Sequence, residues 1–203
     1  TFTPNLTLRC GGVRADPFPH KTVPRAGEIV SFNLREAVLG LERHAAKQGW
    51  DQPVRMYALV PTAELVQREP HLAELLGISE EADPSGLTPV EQEPLPSDMP
   101  LEEVLGRIMW PETVAGCALV MERLVVRGSD ETLDPPRDGD TAAWAQAQPG
   151  AEEVRMVAGV LRDGSRYSAL RMRSYDSDDQ VLNGEDLIPG LTSALTLTFE
   201  EDH

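Results

Sequence analysis

The 203-residue chain carries 34 acidic side chains against 18 basic ones, a formal net charge of −16, with 5% aromatic residues. Such a field repels phosphate backbones and so few aromatics offer little stacking surface, which excludes nucleic acid as an expected partner. At 40% apolar residues the chain has enough to bury a core, no apolar run approaches the ~18 residues of a membrane span, and no basic-then-apolar leader opens it, so neither a membrane protein nor an exported one is expected.

Residues 1–33 differ from the rest of the chain. Arg9, Arg14, Lys21 and Arg25 outnumber Asp16 and Glu28, and Pro4, Pro17, Pro19 and Pro24 break any regular pattern. The stretch reads as an arm or tail with possible short strands at Leu6–Cys10 and Ile29–Phe32, ahead of a single α+β domain over 34–203. Asn33 and Glu36 then have capping-box spacing, and Leu34, Val38, Leu41 and Ala45 recur at helical period until Gly49. Val54–Val60 predicts a strand stopped by Pro61. Thr62 is placed to cap a short helix, and Pro70 to start another through Leu76.

Thr88–Leu95 predicts an edge strand. Leu101, Val104, Leu105 and Ile108 predict an amphipathic helix capped near Ser97 or Asp98. The strongly apolar run Ala115–Arg127 is the expected centre of the sheet. An acidic, Pro- and Gly-rich loop with a short helix near Ala142–Gln148 comes next. Val154–Arg162 and Ser165–Tyr175, separated by Asp163-Gly164, read as a hairpin with a two-residue type I′ turn. That register sets Arg171 against Met156 and Arg173 against Val154. Leu187, Leu191, Leu195 and Phe199 outline a C-terminal helix. Strands and helices mix without regular βαβ alternation, so the expected class is α+β: a mainly antiparallel sheet with a C-terminal hairpin, packed by N-terminal, central and C-terminal helices.

Nucleotide, nucleophile-elbow and zinc fingerprints are all missing. The four histidines, His20, His44, His71 and His203, are far apart in the chain. No metal and no cofactor is therefore expected. The acidic stretch Asp176–Asp186 departs from the EF-hand pattern, because Gly184 falls too late, and reads as a solvated connector. Leu72-Ala-Glu-Leu75-Leu76 fits an L-x-x-L-L pattern but is expected to pack as core. Cys10 and Cys117 cannot make a disulfide framework, so a reducing, cytoplasmic setting is expected, with Cys117 buried as a small hydrophobe.

Two places invite a site. His44 precedes Gly49-Trp50-Asp51-Gln52, where the tryptophan is placed to close the core like a lid. A small polar pocket of His44, Asp51 and Tyr57 is the candidate catalytic group there. Tyr167, Arg171, Arg173 and Tyr175 are all odd-numbered, so period two puts them on one strand face as a candidate binding stripe for an anion or a protein. The competing expectation is that these arginines pair with the chain's own surplus of acids.

The blocks LERHAAKQGWDQPVRMYALVPTAEL (41–65), LTPVEQEPLP (87–96), WPETVAGCALVMERLVV (110–126), EEVRMVAGVLRDG (152–164) and DLIPGLTSAL (186–195) resemble a family of uncharacterised actinobacterial conserved proteins. The resemblance spans roughly residues 34–199 and leaves 1–33 outside. It implies a bacterial cytoplasmic setting and no assigned activity, cofactor or catalytic residue. The expected function is that of a non-enzymatic cytoplasmic accessory or protein-interaction module, binding a protein partner or a second copy of itself. Small acidic α+β chaperones of bacterial secretion share this general look, an analogy of fold alone. The alternatives are an enzyme with an unrecognised site, such as a hydrolase, or a sensor of a small anionic ligand.

Overall fold

The computed structural model describes residues 33–75, 83, 85–96, 98–126, 150–185 and 187–200. The arm up to residue 32, Cys10, the Ser97 cap and the helix near 142–148 lie outside the described residues. In chain order the elements are α1 (Leu34–Gln48), β1 (Arg55–Pro61), α2 (Thr62–Arg68), α3 (Pro70–Leu75), β2 (Leu87–Glu91), α4 (Leu101–Leu105), β3 (Gly116–Val126), β4 (Ala151–Leu161), β5 (Arg166–Met172), β6 (Leu182–Gly184) and α5 (Pro189–Leu197). The six strands form one sheet in the order β2-β1-β3-β4-β5-β6, and every neighbouring pair is antiparallel. The class is α+β.

Both faces of the sheet centre are covered, which is why β3 reads as a continuous apolar run from Gly116 to Met121 instead of an alternating one. Ala118 and Val120 face α1, which buries Leu34, Val38 and Leu41 against them together with Val157 and Ala169. Cys117, Leu119 and Met121 face the other way, with Leu105, Ile108, Val160 and Leu195 from the α4 and α5 side. Gly159 sets how closely α1 approaches: a Cβ there would lie 2.7 Å from Val38 Cγ2. On the opposite face Trp110 stacks on Phe199 and donates from Nε1 to Thr198 Oγ1 at 2.9 Å. Arg162 ties this corner together by donating to the carbonyls of Trp110, Pro111 and Val114.

Local expectations hold at α1, where Asn33 Oδ1 accepts from the Glu36 amide at 3.1 Å. The reciprocal arm differs: Glu36 takes the Asn33 side-chain amide, because the Asn33 backbone N–H is engaged by Ser85 O. Thr62 is the first residue of α2 and not its cap. Pro61 occupies the cap position, and the Thr62 hydroxyl meets that of Thr88 at 3.0 Å. Pro100, not Asp98, precedes α4, and that helix ends at Leu105 before Ile108. Leu75 of the L-x-x-L-L run is 72% exposed instead of core, since six-residue α3 is too short to bury a full stripe.

The hairpin is the largest correction. Its loop has three residues, Arg162-Asp163-Gly164: Leu161 N donates to Ser165 O, and Gly164 sits at φ 88. A three-residue loop ends on a glycine in the left-handed region, whereas the two-residue turn would pair Arg162 with Ser165. The register therefore slips by one. Arg171 faces Arg155 and not Met156, Val154 faces Met172, and Arg173 has left the strand for a 3-10 turn, Arg173–Tyr175.

Candidate functional site

Adjacent residues in these strands point to opposite faces, so the corrected register defines two cross-strand rows. On the α1 face Glu122, Arg155 and Arg171 lie side by side across β3, β4 and β5. One residue over, on the other face, Met121, Met156, Leu170 and Leu182 run across β3, β4, β5 and β6. The ionic row and the apolar row share a stretch of backbone. They share no chemistry.

The ionic row is closed by α1 and by the turn after it. Arg171 is 2% exposed and binds Glu42 of α1 through Nε at 2.6 Å and Nη2 at 3.0 Å. It also donates to Asp176 and Asp178. The bidentate bond to Glu42 outweighs the cost of burial and raises the Arg171 pKa, so the guanidinium stays charged. Arg155 is fully buried. It donates to Glu122 from Nε at 3.0 Å and to Gly49 O, and the Trp50 ring covers it at 4.4 Å. Gly49 at φ 85 and Asp51 at φ 65 turn the chain so that the Asp51 and Gln52 amides donate to Glu122 Oε2. Trp50 Nε1 donates to Asp176 Oδ2 at 2.8 Å, which lowers the Asp176 pKa, and Arg171 adds to that effect.

The predicted stripe is thus divided. Arg173 is spent on Asp51, held by two bonds of 3.1 Å, and on Glu153. Tyr167 OH accepts from Arg35 and donates to Asn183, while Tyr175 is 59% exposed. The chain's own acids meet both arginines. Glu42, Glu122 and Arg155 were not singled out from the sequence. The signal that finds Arg155 is register: once the loop is read as three residues, Arg155 must stand beside Arg171.

The His44, Asp51 and Tyr57 group does not converge. His44 and Tyr57 line an open cleft of about 880 Å³ between α1 and the β1–β2 edge, with Gly40, Leu87 and Pro89. Burial, with Glu91 nearby, raises the Tyr57 pKa. The exposed His44 ring meets Gln48 at 2.8 Å. Asp51 lies instead beside the ionic row, paired with Arg173. Among the described residues no group of three His, Cys, Asp or Glu is placed to hold a metal ion. Asp176 and Asp178 are committed to Arg171.

The apolar row behaves differently. Met121 is 4% exposed, Met156 and Leu170 are half-buried, and Leu182 is 50% exposed. A pocket of about 290 Å³ opens between α4 and α5 at its buried end, lined by Leu105, Met121, Met156 and Leu191 with Arg123 at the side. Towards β6 no helix of the described residues covers the row. Leu187, 41% exposed, lies over Gly184 on this same face. Ser168 Oγ, beside Gly184 in the ladder and fully buried, has no hydrogen-bond partner.

An all-antiparallel six-stranded sheet, with α1 on one face and α4 and α5 on part of the other, defines an α+β protein of mixed ionic and apolar sheet faces. Residues 34–200 match the PPA1309-like proteins, an uncharacterised protein family, and the chain belongs to that family. No curated protein and no solved structure matches it.

Proposed function

We propose that the chain is a non-enzymatic accessory protein of the cytoplasm that holds a protein partner on the open end of its sheet. The observation that carries this reading is the graded exposure from Met121 to Leu182. A row that is core at one end and solvent at the other, with Leu187 beside it, is a surface suited to being covered. The −16 charge argues against nucleic acid and against an anionic membrane surface. It also argues against a second copy of the same chain, since two such fields repel, and favours a different protein over a homodimer.

A photo-crosslinking amino acid placed at Leu182 tests this in cells, with Met109, 81% exposed, as the control position. A discrete adduct with another protein is expected from position 182 and not from 109. Equal adducts at both positions, or none at 182, would sink the reading. Adducts of twice the chain's own mass would move it to a homodimer.

A second reading rests on the cleft that brings His44 and Tyr57 together, and would make the protein a hydrolase or a sensor of a small anion. A Cβ at Gly40 meets nothing within 4 Å, so Gly40→Phe adds bulk to the cleft wall from an open position. Replacing a helical glycine by Phe also gains roughly 0.4 kcal/mol, since Phe lies about midway between Gly and Ala in helix propensity. On the docking reading this variant keeps its melting temperature and its adduct at 182. A lost adduct would place the site in the cleft.

A further inference from the structure

We infer that the pocket between α4 and α5 is a binding site for a small zwitterion with an apolar side chain, of the size of leucine. This goes beyond the docking reading and does not depend on it, because the pocket lies at the covered end of the apolar row. Its floor is Met121 of β3 and Met156 of β4, which face each other across the ladder. Its walls are Leu101 and Leu105 of α4 and Leu191 of α5. The two unbranched methionines adapt to the shape of what enters. The volume of about 290 Å³ is near the lower end for small-molecule sites, which suits a guest of about ten non-hydrogen atoms.

Two opposite charges stand beside this apolar floor. Arg123 follows Met121 by two positions on β3 and so lies on the same face. Glu102 follows Leu101 on α4. Both line the pocket and both are exposed. Among the described residues neither side chain is engaged by an ion pair or a hydrogen bond, with the other or with any neighbour. Acids outnumber bases nearly twofold in this chain, and they claim Arg155, Arg171 and Arg173. Even next to Glu102, Glu103 holds Arg107. Arg123 is left open at a pocket it shares with a carboxylate it does not bind.

A guest must answer both charges. A carboxylate accepts from the Arg123 guanidinium, whose planar fork suits it, and an ammonium donates to Glu102. An α-amino acid carries the two groups on one carbon, next to the side chain that enters between the leucines and methionines. A simple fatty acid would set its carboxylate against Glu102, and a simple amine would set its charge against Arg123. A zwitterion has no net charge, so the −16 field that turns away free anions does not oppose it. Exposed ion pairs are weak singly, so affinity rests on both poles and the apolar side chain together.

The test titrates L-leucine onto the full chain, against three relatives that each lack one part. Isocaproate lacks the ammonium, isopentylamine lacks the carboxylate, and glycine lacks the side chain. Methionine methyl shifts report where each binds, and calorimetry reports how tightly. Leucine is expected to saturate with shifts at Met121 and Met156, at least about tenfold more tightly than any of the three. Arg123→Gln should weaken leucine about tenfold without weakening isopentylamine, and Glu102→Gln should weaken leucine without weakening isocaproate. Both positions are exposed, so an unchanged melting temperature is expected and shows the fold intact. Gly190→Leu adds bulk to the pocket wall from an open position and should abolish the shifts. No saturation by about 10 mM leucine, an analogue that binds as tightly, or shifts centred elsewhere would overturn the inference. The adduct at 182 tests docking separately and is untouched by any of these outcomes.

Discussion

At the scale of single residues, Cys117 is fully buried in β3. Burial pushes its thiol from the usual 9.0 up to about 12, against a small opposing effect of the Thr198 hydroxyl 3.7 Å away. The folded thiol therefore stays neutral where the unfolded one ionises. Stability from this group is intact below about pH 9 and is lost as pH rises from there towards 12. Cys117→Ala should remove that part of the alkaline loss, about 2 kcal/mol by pH 10.5, in urea unfolding followed against pH. Native thiol reagents should spare Cys117; rapid labelling would contradict its burial. Arg171 and Glu42 form a pair buried on both sides, at 2% and 1% exposure. Arg171→Met should cost about 3–5 kcal/mol by leaving Glu42 unpaired, and adding Glu42→Leu should recover part of it. A double variant no better than the single would mean the pair is not coupled.

At the scale of elements the hairpin decides most. Asp-Gly correctly marks the turn, but it does not say how many residues the loop holds, and one residue changes every cross-strand partner. The three-residue loop works because Gly164 adopts φ 88 at no steric cost and the Ser165 amide is taken by Asp163 Oδ1 at 2.8 Å. Gly164→Ala should destabilise by about 1 kcal/mol, read from the denaturant midpoint, with faster amide exchange concentrated in β4 and β5. Unchanged stability would argue for a different loop. The periodicity of α1 and the apolar run of β3 survive into the structure almost residue for residue. α4 keeps its stripe too, with Leu101, Val104, Leu105 and Ile108 against the core although the helix stops at Leu105; α3 does not, because so short a helix takes its orientation from its neighbours and leaves Leu75 exposed.

At the scale of the whole molecule, one sheet carries an ionic face and an apolar face, and the two are covered unequally. α1, Trp50 and the Asp176–Asp178 turn close the ionic row. α4 and α5 close only the inner half of the apolar row. The family match begins at residue 34, where α1 begins, and the composition of residues 1–33 sets them apart. A chain starting at Val30 should melt within about 4 °C of the full chain, the shift that ~1 kcal/mol produces at this size. A larger fall in calorimetry would assign those residues to the packed fold.

What the sequence by itself determined was local: the capped helix at Asn33, the strands read at 54–60 and 115–127 and found at 55–61 and 116–126, the turn at Asp163-Gly164 and the α+β class. These follow from spacing, capping and turn chemistry, whose causes lie within a few residues of their effects. Of the two expectations it left open for Arg171 and Arg173, an exposed stripe or pairing with the chain's own acids, the structure has the pairing. Which acids, and beside which neighbours, only the tertiary structure decided. Glu42 reaches Arg171 across 129 positions and Asp51 reaches Arg173 across 122. Nothing in a window of sequence registers such distances. The separation of Asp51 from His44 and Tyr57, and the row that runs out from Met121 to exposed Leu182, have the same origin. Both depend on register and on which helix covers which strand, and these are settled by packing between segments far apart in the chain.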